Sequence, residues 1–343
     1  VMYKTVNQAN LILKHVPEMG ISESVRNFSL GNAYFSRAWC YFWIARIWGD
    51  APLALTGYES TAGDLYLPRA PKAEIFARIE SDLTEAERYV TDNSDKAVAT
   101  PAAVQMLKAD YALWMYRVAG GGSSYLTMAE KAIEALNLSA SRLESDYAQV
   151  FSSANKLNKE VIFAFSCLTE DGSSIKISNQ FYSYNHPNKG SYNYRPAGDV
   201  MTMYADNDLR KEVSITTLDN LNFVNKYPSG QTGSDPVVIS RLAEMYLISA
   251  EAQGLNGGLD RLNELREKRG LDRVSPGNEA DFLDAVLQER RLEFLAEGFR
   301  WYDLVRTGKA TQTLGTKDYQ CLMPLPSREL LYNPNLKPNN PGY

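Results

Sequence analysis

Apolar residues along this chain recur mostly at helical spacing. In "APKAEIFARIESDLTEAERYV" (70–90), Ile75, Phe76, Ile79, Leu83 and Ala86 follow one another every three or four positions, which predicts an amphipathic helix. "LGNAYFSRAWCYFWIARIWGD" (30–50) predicts a helix from about Asn32 to Trp48 that is apolar on nearly every side, hence enclosed by neighbours, with Gly49 as its terminating residue. "ATPAAVQMLKADYALWMYRVAGGG" (99–122) places Thr100 as N-cap and Pro101 at the first helical position, and stops at three glycines. Further helices are predicted in "SRLAEMYLISAEAQG" (240–254), "LDRLNELREKRG" (259–270) and "NEADFLDAVLQERRLEFLAEG" (278–298). A faint likeness joins "RAWCYFWIA", "KADYALWMY" and "RLAEMYLISA". Small and large residues alternate in each, as in stacked tetratricopeptide-type helix pairs, although ordinary helical core would read the same way.

Between about Phe165 and Ser240 the helical rhythm lapses. "NQFYSYNHPNKGSYNYRPAGDVMTMY" (179–204) is rich in Asn, Gly, Ser and Pro and carries Phe181, Tyr182, Tyr184, Tyr192, Tyr194 and Tyr204. Tyrosine beside amide side chains suits a sugar ring, whose C–H face stacks on the aromatic face while Asn, Asp and Arg bond its hydroxyls. Rings that merely anchor a long loop onto helices would give the same pattern.

Composition narrows the function. With 343 residues, 44% of them hydrophobic, the chain can bury a sizeable core as one large domain or two ordinary ones. A net charge of −5 opposes nucleic acid as the main partner. Cys40, Cys167 and Cys321 are far apart with no CxxC spacing, so neither a zinc site nor a disulfide framework is suggested. No run reaches eighteen apolar residues, Arg37 and Arg46 interrupt the most apolar helix, and "VMYKTVNQAN" has no signal-peptide core.

Catalytic motifs are largely missing. His15 and His186 are the only histidines, which leaves no HExxH and little room for a Ser-His-Asp triad. GxSxG and GxGxxG do not occur, and "TGKA" (307–310) lacks the upstream glycine of a phosphate loop. A carboxylate pair remains: Glu293 and Glu297, one helical turn apart, could serve a glycoside hydrolase. If residues 282–306 are mostly helical, however, Leu292, Leu295, Phe299 and Tyr302 form a stripe adjoined by Val305, while Arg290 with Glu293 and Glu297 with Arg300 form i,i+3 pairs. Such partners keep carboxylates ionised, and a general acid needs the reverse. "ADNDLRKE" offers Asp206 and Asp208 but lacks EF-hand spacing, so no cofactor is expected and a structural calcium stays open.

"ERRLEFLAEGFRWYDLVRTGKA" (289–310) resembles the C-terminal signature of the SusD/RagB family, nutrient-binding outer-membrane lipoproteins of Bacteroidetes-type bacteria. "SRAWCYFWIARIWGDAPLAL" resembles that family's early helix and its Gly-Asp-x-Pro-Leu turn, here Gly49, Asp50, Pro52 and Leu53. "ESDYAQVFSSANKLNKEVIFAF" resembles the approach to its central strand, "PVVISRLAEMYLISAEAQ" the helix after the ligand loops, and "MPLPSRELLYNPNLKPNNPGY" its closing segment.

The resemblance implies a mainly α fold: one SusD-like domain over 1–343 whose degenerate tetratricopeptide-type pairs make a right-handed superhelical scaffold (about 1–55, 72–140 and 240–308). It also implies a loop-rich ligand lobe (about 165–239) and a C-terminal tail (309–343). It implies no catalysis. A glycan, or in some members a peptide, is captured outside the cell and passed to a SusC-like TonB-dependent transporter. The family's acylated N-terminal cysteine and lead segment are not in this chain, so the outer-membrane lipid anchor is inferred. Family motifs are scaffold, so ligand residues rest on local chemistry: Tyr182, Tyr184, Tyr192 and Tyr194 to stack, and Asn185, Asn193 and Arg195 as polar partners. Lys189 and Arg195 flank the stretch, too few cations to name the glycan. A glycoside hydrolase and a protein-binding helical scaffold are the other readings.

Overall fold

The computed structural model describes residues 1–60, 65–155, 158–165, 176–230 and 233–343; Cys167 and the opening of the expected lobe lie outside them. Eleven α-helices and four short strands are found among the described residues, the mainly α architecture expected. The chain divides into two compact units, Val1–Ser94 with Val98–Tyr111 and Leu304–Tyr343, and Asp95–Ala97 with Ala112–Asp303. No helix among the described residues is long and apolar enough to cross a membrane.

In the first unit α1 (Met2–His15) packs on α2 (Glu23–Trp48), and α2 on α3 (Lys72–Tyr89). The Ser22 hydroxyl caps α2 from the Val25 N–H at 3.4 Å, so the helix begins nine residues before the expected Asn32, and Gly49 ends it at φ 71°. All five periodic positions of α3 are buried. Arg37 knits the three helices: it donates to Asn10 Oδ1 at 2.7 Å and grips Asp82 at 2.8 and 2.7 Å. At the start of α4 (Pro101–Val118), Thr100 Oγ1 accepts from the Ala103 N–H at 3.1 Å, the predicted cap.

In the second unit α5 (Ser124–Glu134) and α7 (Leu242–Lys268) pack together, and α7 packs on α8 (Glu279–Glu293). α7 breaks at Gly254 (φ 66°, ψ −172°), where the chain was expected to end a helix. The Glu279 carboxylate then caps the renewed helix through the Leu255 N–H at 3.0 and 3.1 Å. β1 (Val161–Phe165) pairs antiparallel with β4 (Val237–Arg241), and β2 (Ile215–Leu218) with β3 (Leu221–Val224) across the tight Asp219-Asn220 turn. The short α6 (Lys211–Ser214) leads into β2. Tyr147, Val150, Phe151, Val161, Ala164, Val224, Tyr227 and Val238 form one core beneath these strands.

The expected helix over 282–306 is interrupted. α8 stops at Glu293, Ala296 and Gly298 take positive φ (62° and 89°), and α9 (Arg300–Arg306) starts afresh. The stripe from Leu292 to Tyr302 is therefore no single helical face, and neither i,i+3 pair forms. Arg290 donates through Nε to both oxygens of Asp303 at 2.8 Å.

Glu293 instead meets Arg210 at 2.8 Å, Arg269 at 2.8 Å and Arg241. Glu297 takes Lys226 at 2.6 Å and Arg241 at 3.0 Å. Glu160, Glu289, Asp208 and Arg266 complete a knot in which five cations face five carboxylates. Burial alone would raise the Glu293 pKa, yet Arg269, Arg241 and Arg210 outweigh it and hold the carboxyl well below its ordinary range. The knot joins segments 81 and 109 residues apart, from Glu160 to Arg241 and Arg269.

The tail of the first unit adds α10 (Ala310–Leu314) and α11 (Ser327–Tyr332). Asn340 hydrogen-bonds the Trp48 carbonyl at 3.0 Å and the Met323 carbonyl at 2.7 Å, fastening this tail to the end of α2.

Candidate ligand-binding site

The tyrosine stretch is held by its own backbone. Ser191, Tyr192, Tyr194 and Gly190 donate to the carbonyls of Asn179, Tyr182, Gln180 and Ser183 at 2.7, 3.0, 3.0 and 3.1 Å, a ladder that closes a loop over 183–190. A Cβ on Gly190 would lie 2.3 Å from the Tyr182 carbonyl oxygen, so only glycine lets the two limbs approach this closely. Lys189 and Tyr192 both take positive φ (41° and 50°), left-handed conformations that cost a non-glycine residue about 1–3 kcal/mol each and cluster at ligand clamps.

The seven predicted site residues divide. Tyr182 is 0% exposed, stacked on His186 at 4.3 Å and on Phe223 at 5.9 Å, with its hydroxyl to Asn225 Oδ1 at 2.9 Å. Its ring is wholly buried, so it is corrected from a stacking candidate to the loop's inner anchor. Tyr192 is half-buried; its ring meets Phe223 at 5.2 Å and its hydroxyl donates to the Asn222 carbonyl at 2.7 Å. Asn193 donates to Gln180 Oε1 at 2.8 Å. Tyr184 and Tyr194 are 77% and 64% exposed, and Asn185 and Arg195 are exposed beside them. Tyr194 leans on Phe181 at 6.4 Å, and Phe181 stacks on the buried Tyr227 at 5.7 Å, so this outward ring has a firm base.

The carboxylates proposed for hydrolysis are absent from this surface. Glu293 and Glu297 have side chains 0% and 1% exposed and are bound by arginines and Lys226, so they cannot act as an acid and nucleophile pair on a glycan. His186 is pushed below its ordinary pKa by burial, and its Nδ1 accepts from the Asn188 N–H at 3.0 Å. Asp208 is bound to Arg210 at 2.8 Å, and no group of three or more His, Cys, Asp or Glu among the described residues could hold a metal ion. What this surface can do is stack a flat apolar face and donate or accept hydrogen bonds around it.

Sequence reasoning missed a cleft of about 630 Å³ in the first unit, lined by Tyr3, Trp48, Tyr58, Tyr66, Leu325 and Tyr332 among others. Two of its polar side chains are committed inward: Tyr3 donates to the Pro52 carbonyl at 2.9 Å, and Asn10 to those of Ala54 and Thr56 at 3.0 and 3.3 Å. No periodicity marks it, since its rings come from separated segments.

Residues 117–321 match the profile of the SusD family, and residues 1–114 a second profile described as starch-binding associating with outer membrane. The chain belongs to the SusD family. A SusD-like protein, P38, of Formosa agariphila is 26% identical over 99% of this chain and 78% of its own length. NanU of B. fragilis superposes with a TM-score of 0.85 at 28% identity, covering 100% of this chain and 83% of its own. A laminarin-binding SusD-like protein shares the fold, with a TM-score of 0.83 at 22% identity over 100% of this chain and 84% of that one. The segments that resemble the family lie in or beside α2, β1, β4, α7, α8, α9, α10 and α11, and none of these elements carries Tyr184 or Tyr194.

Proposed function

We propose that this SusD-family chain captures an oligosaccharide without catalysis at the outer face of the outer membrane and delivers it to a SusC-like TonB-dependent transporter, tethered by a lipid anchor. The observation that carries the reading is the outward pair Tyr184 and Tyr194, with Asn185, Asn193 and Arg195, on a loop whose shape is fixed by other atoms. The starch-binding profile over residues 1–114 and the laminarin-binding relative support a glycan as cargo.

Shallow aromatic platforms bind weakly, so dissociation constants on the order of millimolar, roughly −4 kcal/mol, are expected. Titration of a glycan panel and a peptide panel tests this. Tyr184→Ala and Tyr194→Ala should each weaken glycan binding by ~0.5–1.5 kcal/mol, roughly twofold to tenfold. Unchanged titrations would remove the loop as the site, peptide binding in place of glycan would change the cargo, and release of shortened sugars would mark an enzyme.

A further inference from the structure

The end of α8 and the start of α9 are folded against each other: Phe294 and Phe299 lie 4.6 Å apart, and the Arg290 guanidinium sits 5.1 and 5.5 Å from their ring centres. Arg290 has an acceptor in Asp303. Its neighbours are less well served. Among the described residues Arg291 reaches only Asp199, an exposed carboxylate on the short turn Gly198–Thr202. Arg300 is half-buried, yet among the described residues no acceptor receives its hydrogen bonds and no carboxylate pairs with it. Burial first, then the nearby positive charge of Arg291, press its pKa below the ordinary value, and the Asp303 carboxylate offsets this only in part. An arginine stays protonated, so this charge is partly desolvated and repelled by a like charge, while the one carboxylate that acts on it, Asp303, is already gripped by Arg290.

A fork of guanidinium donors without an acceptor fits a planar anionic group from outside, which it binds through two parallel hydrogen bonds. Arg195 extends the positive surface toward the loop. It is exposed, has no partner among the described residues, follows Tyr194 directly and stands four residues before Asp199, within ~14 Å of extended chain. Val200 and Leu292 share a small core, which holds the 198–202 turn against the last turn of α8.

We propose that Arg291 and Arg300, approached through Arg195, receive the carboxylate or sulfate ester of an acidic saccharide whose rings rest on Tyr184 and Tyr194. This rests on the carbohydrate reading above and narrows it to charged sugars. An anion entering here also competes with Asp199 for Arg291, so binding falls as salt rises.

The test uses pairs of sugars that differ chiefly in charge: trigalacturonate against its methyl ester, sialyllactose against lactose, and a sulfated against an unsulfated oligosaccharide. Calorimetric titration of the chain should find at least one acidic member bound tenfold or more tighter than its neutral counterpart. Arg300→Gln and Arg291→Gln should each bring that ratio close to one, and sodium sulfate should shift the Arg300 Nε–Hε NMR signal. The Arg291→Gln variant keeps the test decisive if Arg300→Gln does not fold. Neutral sugars bound as tightly as acidic ones overturn the inference and leave glycan capture standing. A sulfate-induced shift with no acidic sugar preferred also overturns it, and points to a carboxylate on a protein partner. If no sugar of either charge binds, both readings fall.

Discussion

Replacing Glu293 with Gln keeps its shape but removes one negative charge where Arg210, Arg241 and Arg269 converge. Uncompensated buried charge costs ~3–5 kcal/mol, so urea denaturation of Glu293→Gln should show that much lost stability. An exposed i,i+3 pair would cost only about 0.2–0.5 kcal/mol, so the measured size tells the two arrangements apart. The partners of Glu293 were hidden from the sequence because an ion pair spanning 24 to 83 residues leaves no local spacing to read. The tyrosines pose the same difficulty: Tyr182 and Tyr184 are two positions apart with the same chemistry, and only tertiary packing sends one inward and the other out. The exposure of Asn185 and Arg195 was legible because polar residue type in a loop of this composition already favours solvent.

At the scale of elements, helices were read well where one face is apolar, as in α3, or a cap is explicit, as at Thr100. The break after Glu293 was not. "LAEG" looks helical, and the positive φ of Ala296 answers to packing and to the Lys226 bond to the Glu293 carbonyl at 2.7 Å. Gly190 yields the prediction that belongs here. In Gly190→Ala the new methyl would stand 2.3 Å from a carbonyl oxygen, so the ladder must open. Glycan affinity should drop at least as far as in the tyrosine variants, while thermal denaturation shifts by only a few degrees because the loop lies outside the core. A full loss of folding would show that the ladder supports more than the loop.

The molecule as a whole should respond to pH in three windows. Glu293 has a depressed folded pKa, so its stabilisation is present above its ordinary 4.5 and fades as pH falls below it. Lys226, buried against Glu297 and the rings of Tyr147 and Phe151, is pushed down from 10.5 to about 8, chiefly by burial. Between those values the unfolded chain holds a proton the folded one has released, so Lys226 makes stability rise with pH there. The buried tyrosines Tyr147, Tyr204 and Tyr227 are raised above 10.0 by burial, keep protons the unfolded chain loses, and pull stability down beyond that point. Urea midpoints measured from pH 3 to pH 12 should therefore hold or climb between about 8 and 10 and drop at both extremes. A decline between 8 and 10 would mean that the folded chain holds more protons there than the unfolded one, against a lowered Lys226 pKa.

The loop over 183–190 is closed through main-chain atoms, and Tyr184 and Asn185 at its rim brace nothing else. Such a rim can change its chemical vocabulary without any rebuilding beneath it. A lineage carrying this frame could thus turn from one ligand to another by a handful of point changes, much as a tool handle accepts different heads.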